Sequence, residues 1–172
     1  MKKFISGRDG SILLEAAIAI PVLVAMLLGM AEFGEAFTIR RKNAQVASTA
    51  ADLVAQVASV TTANLNDIAN IASMILQPYP WTSSDGLQIM SITQNANNAT
   101  VNWSYGFGNA TAPGKGSTYP LPAGLISQNQ TIIVATSSYA FTPDVGSYLT
   151  GGTTFTSTAY YVPRLGNSVS CC

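Results

Sequence analysis

The sequence predicts an α+β fold: a long N-terminal helix serving as membrane anchor and stalk, a second short helix, and an antiparallel sheet of about four strands. Three observations carry this. Apolar residues recur at helical spacing as far as Leu76, period-two alternation replaces it after Gly86, and the two patterns do not interleave as βαβ units would require. The charges divide the same way: of 172 residues only 9% are charged, and residues 1–42 hold ten of the sixteen charged side chains.

The chain opens with a basic segment, MKKFISGRDG, followed by the uncharged run from Ala16 to Ala31. As a helix, 16 residues span about 24 Å, against about 30 Å of bilayer hydrocarbon. Starting the span at Ile12 closes the gap but takes Glu15 inside the apolar boundary, where a carboxylate costs on the order of 1–3 kcal/mol. A secretory signal peptide would end in a small-x-small cleavage site. The chain instead reads Glu-Phe-Gly-Glu after Ala31. A plain anchor has no use for Glu15. Cutting between Gly10 and Ser11 would supply one: the new ammonium on Ser11 stands one helical turn from Glu15, or meets the carboxylate of a neighbouring subunit, and offsets its desolvation.

The stripe Ala47, Ala50, Ala51, Val54, Val57 and Ala58 continues the helix as an amphipathic stalk. Arg40, Arg41 and Lys42 read as a solvated or headgroup-facing belt. Asn64, with Asp67 three residues on, reads as the N-cap of a second helix carrying Leu65, Ile68, Ala72, Ile75 and Leu76, which Pro78 and Pro80 end. Strands are expected over 87–94, over 99–107, where Ala99, Val101, Trp103, Tyr105 and Phe107 alternate with smaller or polar residues, over 131–141 and over 153–162. Residues 95–98 make the first pair a hairpin. The Gly- and Pro-rich stretch 106–129 is expected to be an excursion or an exposed flap.

Gly10 followed by Glu15 before an apolar helix resembles the prepilin signal of type IV pilins. The ordered set Gly10, Glu15, Pro21 and Glu32-Phe33-Gly34 resembles the TadE-like minor pilins of tight-adherence pili, with Ala16 standing where that family commonly has an aromatic residue. The resemblance implies cleavage by a prepilin peptidase, a membrane-exit motif at Glu32, Phe33 and Gly34, and a role in pilus assembly with other pilins and an inner-membrane assembly platform. It also implies an N-terminus in the bacterial cytoplasm and a periplasmic head, which breaks the tie between three cationic residues on each side of the span. The expected division is a leader over 1–10, a transmembrane and assembly helix over 11–35, a stalk over 36–60 and an α+β head over 61–172. Small residues Ala17, Ala19, Ala25 and Gly29, with Pro21 between them, are the expected helix-packing positions.

Other chemistry is sparse. With no His, the commonest general base and metal ligand is missing, and with no basic patch there is no footprint for nucleic acid. No enzyme, metal or cofactor is expected. Gly108 to Ser117 misses the phosphate-loop pattern, Gly106 and Gly108 miss the dinucleotide pattern, and Asp52, Asp67, Asp85 and Asp144 form no recognisable pair. Tyr139, Tyr148, Tyr160 and Tyr161 are expected to pack in the sheet. Were they and the 106–129 loop to form a binding face, the alternative function would be an anchored binding module for glycan or protein. Cys171 and Cys172 end the chain as a frayed tail or an intermolecular disulfide, since a bond between neighbours is geometrically awkward.

Overall fold

A computed structural model describes residues 8–96, 98–146 and 151–172, with side chains from Ile12 onward. The order of elements is α1 (Arg8–Ala55), β1 (Ser59–Val60), α2 (Thr62–Leu76), β2 (Gly86–Gln94), β3 (Ala99–Gly108), β4 (Thr131–Phe141), β5 (Thr153–Tyr161) and β6 (Ser170–Cys171). Two compact units divide the chain: residues 1–37 with 142–152, and residues 38–141 with 153–172.

In the larger unit, β2 to β5 form an antiparallel sheet in the order β3-β2-β4-β5. This is the α+β class expected, with β2–β3 as the hairpin. One face of the sheet meets the helices. There Asn43 of α1, fully buried, donates from Nδ2 to the carbonyls of Ser137 (3.1 Å) and Phe155 (2.8 Å), and its Oδ1 accepts the Ser137 hydroxyl at 2.6 Å. Farther along, the Ser48 and Tyr161 hydroxyls lie 2.9 Å apart. Tyr105 of β3 donates to Asn66 of α2. Ile39, Val46, Ala47, Ala50, Ala51 and Val54 bury the corresponding stripe of α1. On the opposite face Met90, Ile92, Ala99, Val101, Ile132 and Val134 form a second core, covered by Tyr119, Leu121 and Ile126.

That second core shows what the sequence misplaced. Ala99 to Phe107 do not line one face. The register slips between Ser91 and Ile92: Trp103 stands opposite Ser91 and Val101 opposite Ile92, so Asn102 is an extra residue, a bulge. A bulge shifts the alternation by one and sends Ala99 and Val101 to one face and Trp103, Tyr105 and Phe107 to the other. Asn102 then holds the slip by donating to the hydroxyls of Ser91 (3.1 Å) and Thr93 (2.8 Å).

The 106–129 stretch is no free flap. It pairs along the outer edge of β3, with Val101 N–H to Ser117 C=O at 3.0 Å, Gly116 N–H to Val101 C=O at 2.7 Å and Tyr119 N–H to Ala99 C=O at 3.0 Å, which closes an edge that would otherwise be open. Gly106 and Gly108 admit this return of the chain. A Cβ at Gly106 would lie 2.3 Å from the Ala110 carbonyl oxygen, and Gly108 has φ +66° and would lie as close to that of Asp85.

Three further expectations change. Helix α1 ends at Ala55, so residues 56–60 of the expected stalk are not helical. The carbonyls of Ala55 and Ala58 accept instead from Arg164 N–H (2.8 Å) and Ser170 N–H (3.1 Å), and Val57 stands exposed. The cap of α2 is Thr61: its hydroxyl accepts from the Asn64 N–H at 3.2 Å while Asn64 Oδ1 accepts from the Thr61 N–H at 3.0 Å, a reciprocal capping box with Asn64 at its third position. The C-terminus is not frayed, because β6 pairs in parallel with β1, Val169 is buried and its carbonyl accepts from Trp103 Nε1 at 2.7 Å. Cys171 and Cys172 are bonded to each other, so a bridge to another chain would first require that bond to open.

Candidate functional site

The smaller unit holds the positions that the sequence singles out. The leader residues 1–7 lie outside the described residues, as does the side chain of Ser11, while the Gly10–Ser11 bond lies in the first turns of α1. From Ala17 to Ala31 the helix is apolar and exposed on every side, as are Ile12 to Leu14 ahead of Glu15. Consecutive residues Leu13 and Leu14, Val22 to Val24 and Met26 to Leu28 are all open, and at 100° per residue such runs cover the whole circumference. A helix apolar all round is stable only when something apolar surrounds it, a bilayer or other helices. This helix is long and apolar enough to cross a membrane.

Within it, Ala17, Pro21, Ala25 and Gly29 follow one another at four-residue intervals and so lie along one slowly turning line. No other atom lies within 4 Å of where a Cβ on Gly29 would be, leaving room for another backbone to approach. Pro21 also leaves the Ala17 carbonyl without its helical donor. Ala19 stands one turn beyond Glu15 on the opposite face of the helix from that line. Glu15 is exposed, and no hydrogen bond or ion pair reaches it among the described residues.

Glu32 contrasts with it. Its carboxylate accepts from two successive backbone N–H groups of the loop between β4 and β5: Val145 N–H to Oε1, and Gly146 N–H to Oε1 at 3.0 Å and Oε2 at 3.1 Å. Phe33 beside it is 76% exposed, and a Cβ on Gly34 would meet open space. Nothing in the sequence points to this contact. Pro143, Asp144 and Gly146 mark a turn, but nothing in a single chain ties that turn to a residue more than a hundred positions earlier.

Residues 10–52 match the family model for TadE-like protein. Over this segment the chain is similar to that family. The TadE-like segment contains Glu15, the line of small residues, Glu32 to Gly34 and most of the buried stripe of α1, and stops just short of the end of that helix. No curated protein and no solved structure is matched by the chain.

The other candidate groups are dispersed. Lys42 leaves the expected belt: its Nζ donates to the carbonyls of Ile75 (3.1 Å) and Gln77 (2.7 Å) at the end of α2, while Arg40 and Arg41 stay exposed. Asp52 pairs with Arg164. Asp85 is buried and accepts from Thr82 N–H (2.6 Å), the Thr82 hydroxyl (2.9 Å) and Ala140 N–H (2.8 Å), a structural clasp. Tyr160 and Tyr161 face opposite sides of the sheet, Tyr139 is buried and Tyr148 lies outside the described residues, so these tyrosines build no common face. Burial raises the Tyr105 hydroxyl above its ordinary pKa, and burial together with Tyr119 raises that of Tyr160. Among the described residues no cluster of acids and thiols is disposed to hold a metal.

Proposed function

We propose that this chain is a non-enzymatic minor pilin or pseudopilin of a tight-adherence pilus, anchored in the bacterial inner membrane by α1 with its N-terminus in the cytoplasm and its sheet unit in the periplasm. The observation that carries the reading is the TadE-like match falling on a helix whose first half is apolar around its whole circumference. A prepilin peptidase cuts after Gly10. Gly10 weakens the first turns of the helix, which helps the bond open to the enzyme. The ammonium freed on Ser11 pairs with Glu15 of the same or a neighbouring chain.

Moving this helix from lipid into a bundle of pilin helices gains little hydrophobic energy, because lipid tails are as apolar as leucine. Close contact must come from shape, through Ala17, Ala19, Pro21, Ala25 and Gly29, and from the paired charge at Glu15. The partners are other pilins, the inner-membrane assembly platform and the bilayer. Glu15→Ala is expected to leave membrane insertion intact and to abolish or strongly reduce assembled pili, counted by electron microscopy and shearing. Normal piliation of that variant overturns the role of Glu15. A mature N-terminus other than Ser11 by mass spectrometry overturns the processing.

A further inference from the structure

The contact at Glu32 has a position as well as a geometry. Glu32 is the first charge after the uncharged run Ala16 to Ala31, so it marks the level at which the helix leaves hydrocarbon. A carboxylate there must be hydrated or hydrogen-bonded, and this one takes the N–H groups of Val145 and Gly146. The loop is built for the approach. A Cβ on residue 146 would lie 2.9 Å from Glu32 Oε2, so Gly146 lets the carboxylate come in against the backbone. Each N–H that Glu32 accepts is a loop group that needs no water, which suits a segment at an interface. The result is that Val145, half exposed, stands beside the end of the span, level with the exposed Phe33 and one turn before Phe37. Apolar and aromatic side chains at this level, followed by the exposed cations Arg40 and Arg41, have the order of a membrane–water boundary.

Resting on the anchor reading above, we infer that Glu32 acts as a receptor for the β4–β5 loop and thereby seats Val145 in the headgroup layer of the leaflet at that end of the span. The loop's partner is the lipid surface itself. The binding energy comes from burying one aliphatic side chain beside the phenyl rings, and Glu32 sets its depth.

The test uses the full chain in phosphatidylcholine vesicles, with Cys171→Ser and Cys172→Ser removing the native sulfurs and a nitroxide placed through Val145→Cys or, separately, Ile18→Cys. Depth is read from the relative collision rates with oxygen and a water-soluble nickel complex. The Ile18 label is expected in hydrocarbon and the Val145 label at headgroup depth. Adding Glu32→Ala should move the Val145 label into water, with its nickel collision rate rising several-fold, while Glu32→Gln, which keeps an acceptor oxygen, should move it less. In parallel, amide exchange at Val145 and Gly146 should quicken at least tenfold in Glu32→Ala. An Ile18 label in water defeats the anchor reading. An Ile18 label in hydrocarbon with a Val145 label already in water defeats the interfacial inference alone. A Val145 label at headgroup depth that ignores Glu32→Ala, with unchanged amide exchange, defeats the receptor role.

Discussion

The two halves of α1 belong to one helix but present two different kinds of surface. From Ala17 to Ala31 the side chains are apolar without direction and uncovered; from Thr38 to Ala55 they divide into a buried stripe and a polar remainder. The first half leaves its apolar surface for something outside the chain, the second satisfies its own against the sheet unit. Length and helicity therefore say little about the task of a helical segment. What distinguishes anchor from core is whether the apolar residues are confined to one side.

One substitution made in both halves puts this contrast to its severest test. Val54 is 0% exposed and Val22 is 56% exposed. Val54→Asp buries an unpaired carboxylate and should cost on the order of 4 kcal/mol or more, enough to unfold the sheet unit. Val22→Asp should cost on the order of 3 kcal/mol of insertion free energy, since it falls near the middle of the span. Both tryptophans, Trp81 and Trp103, belong to the larger unit, so their fluorescence in a denaturant titration reads that unit alone. Val22→Asp should leave that titration unchanged and lose membrane extraction resistance. Val54→Asp should do the reverse.

A step down in size, Asn43 is where the second half of α1 is tied to the sheet by polar rather than apolar contact. Asn43→Ala removes the donor to one buried and one part-buried carbonyl and the acceptor of the Ser137 hydroxyl, and should cost about 2–3 kcal/mol, since these partners are left without replacements. Ser137→Ala breaks only one of these bonds and should cost about 1 kcal/mol. Equal midpoints for the two variants would mean that water reaches the site and that the contact between α1 and the sheet is not closed.

Much of this architecture was legible in the chain, because its elements announce themselves through period and punctuation. The limits of β4 at Thr131 and Phe141 follow from the turn residues that bound the strand, and the hairpin at residues 95–98 follows from its Asn-rich loop. Facing was harder. The bulge at Asn102 leaves no mark in composition, yet it reverses the side on which Ala99 and Val101 lie. Contacts across long separations were beyond reach for the same reason: Glu32 with Gly146, Asn43 with Ser137 and β1 with β6 depend on where the fold returns the chain. Glu15 stands out in the chain for another reason, since a carboxylate taken inside the apolar boundary of a span is costly.

The cap of α2 makes this a matter of measurement. The sequence points to Asn64 as the cap because an acid follows three residues later, whereas Thr61 caps the helix and Asn64 closes the box. Thr61→Ala should therefore cost about 1 kcal/mol in the fluorescence titration, while Asp67→Ala should fall within about 0.5 kcal/mol of the parent. The opposite ranking would restore the sequence-based assignment.

The smallest expected effect separates three adjacent cations at the point where the two halves of α1 adjoin. Arg40 and Arg41 are solvated, but Lys42 bonds the terminal carbonyls of α2, groups that a helix end otherwise leaves to water. A cation there also meets the negative end of the helix dipole. Lys42→Met keeps most of the aliphatic stem and removes only the ammonium, so packing is preserved and the loss should be about 0.5–1 kcal/mol. Arg40→Met should leave the sheet unit as stable as before, because its guanidinium faces solvent. High salt should shrink the Lys42 difference without erasing it, since screening weakens the dipole interaction more than the two short hydrogen bonds. A Lys42→Met variant as stable as Arg40→Met at low salt would return Lys42 to the cationic belt and leave the end of α2 to be capped by water.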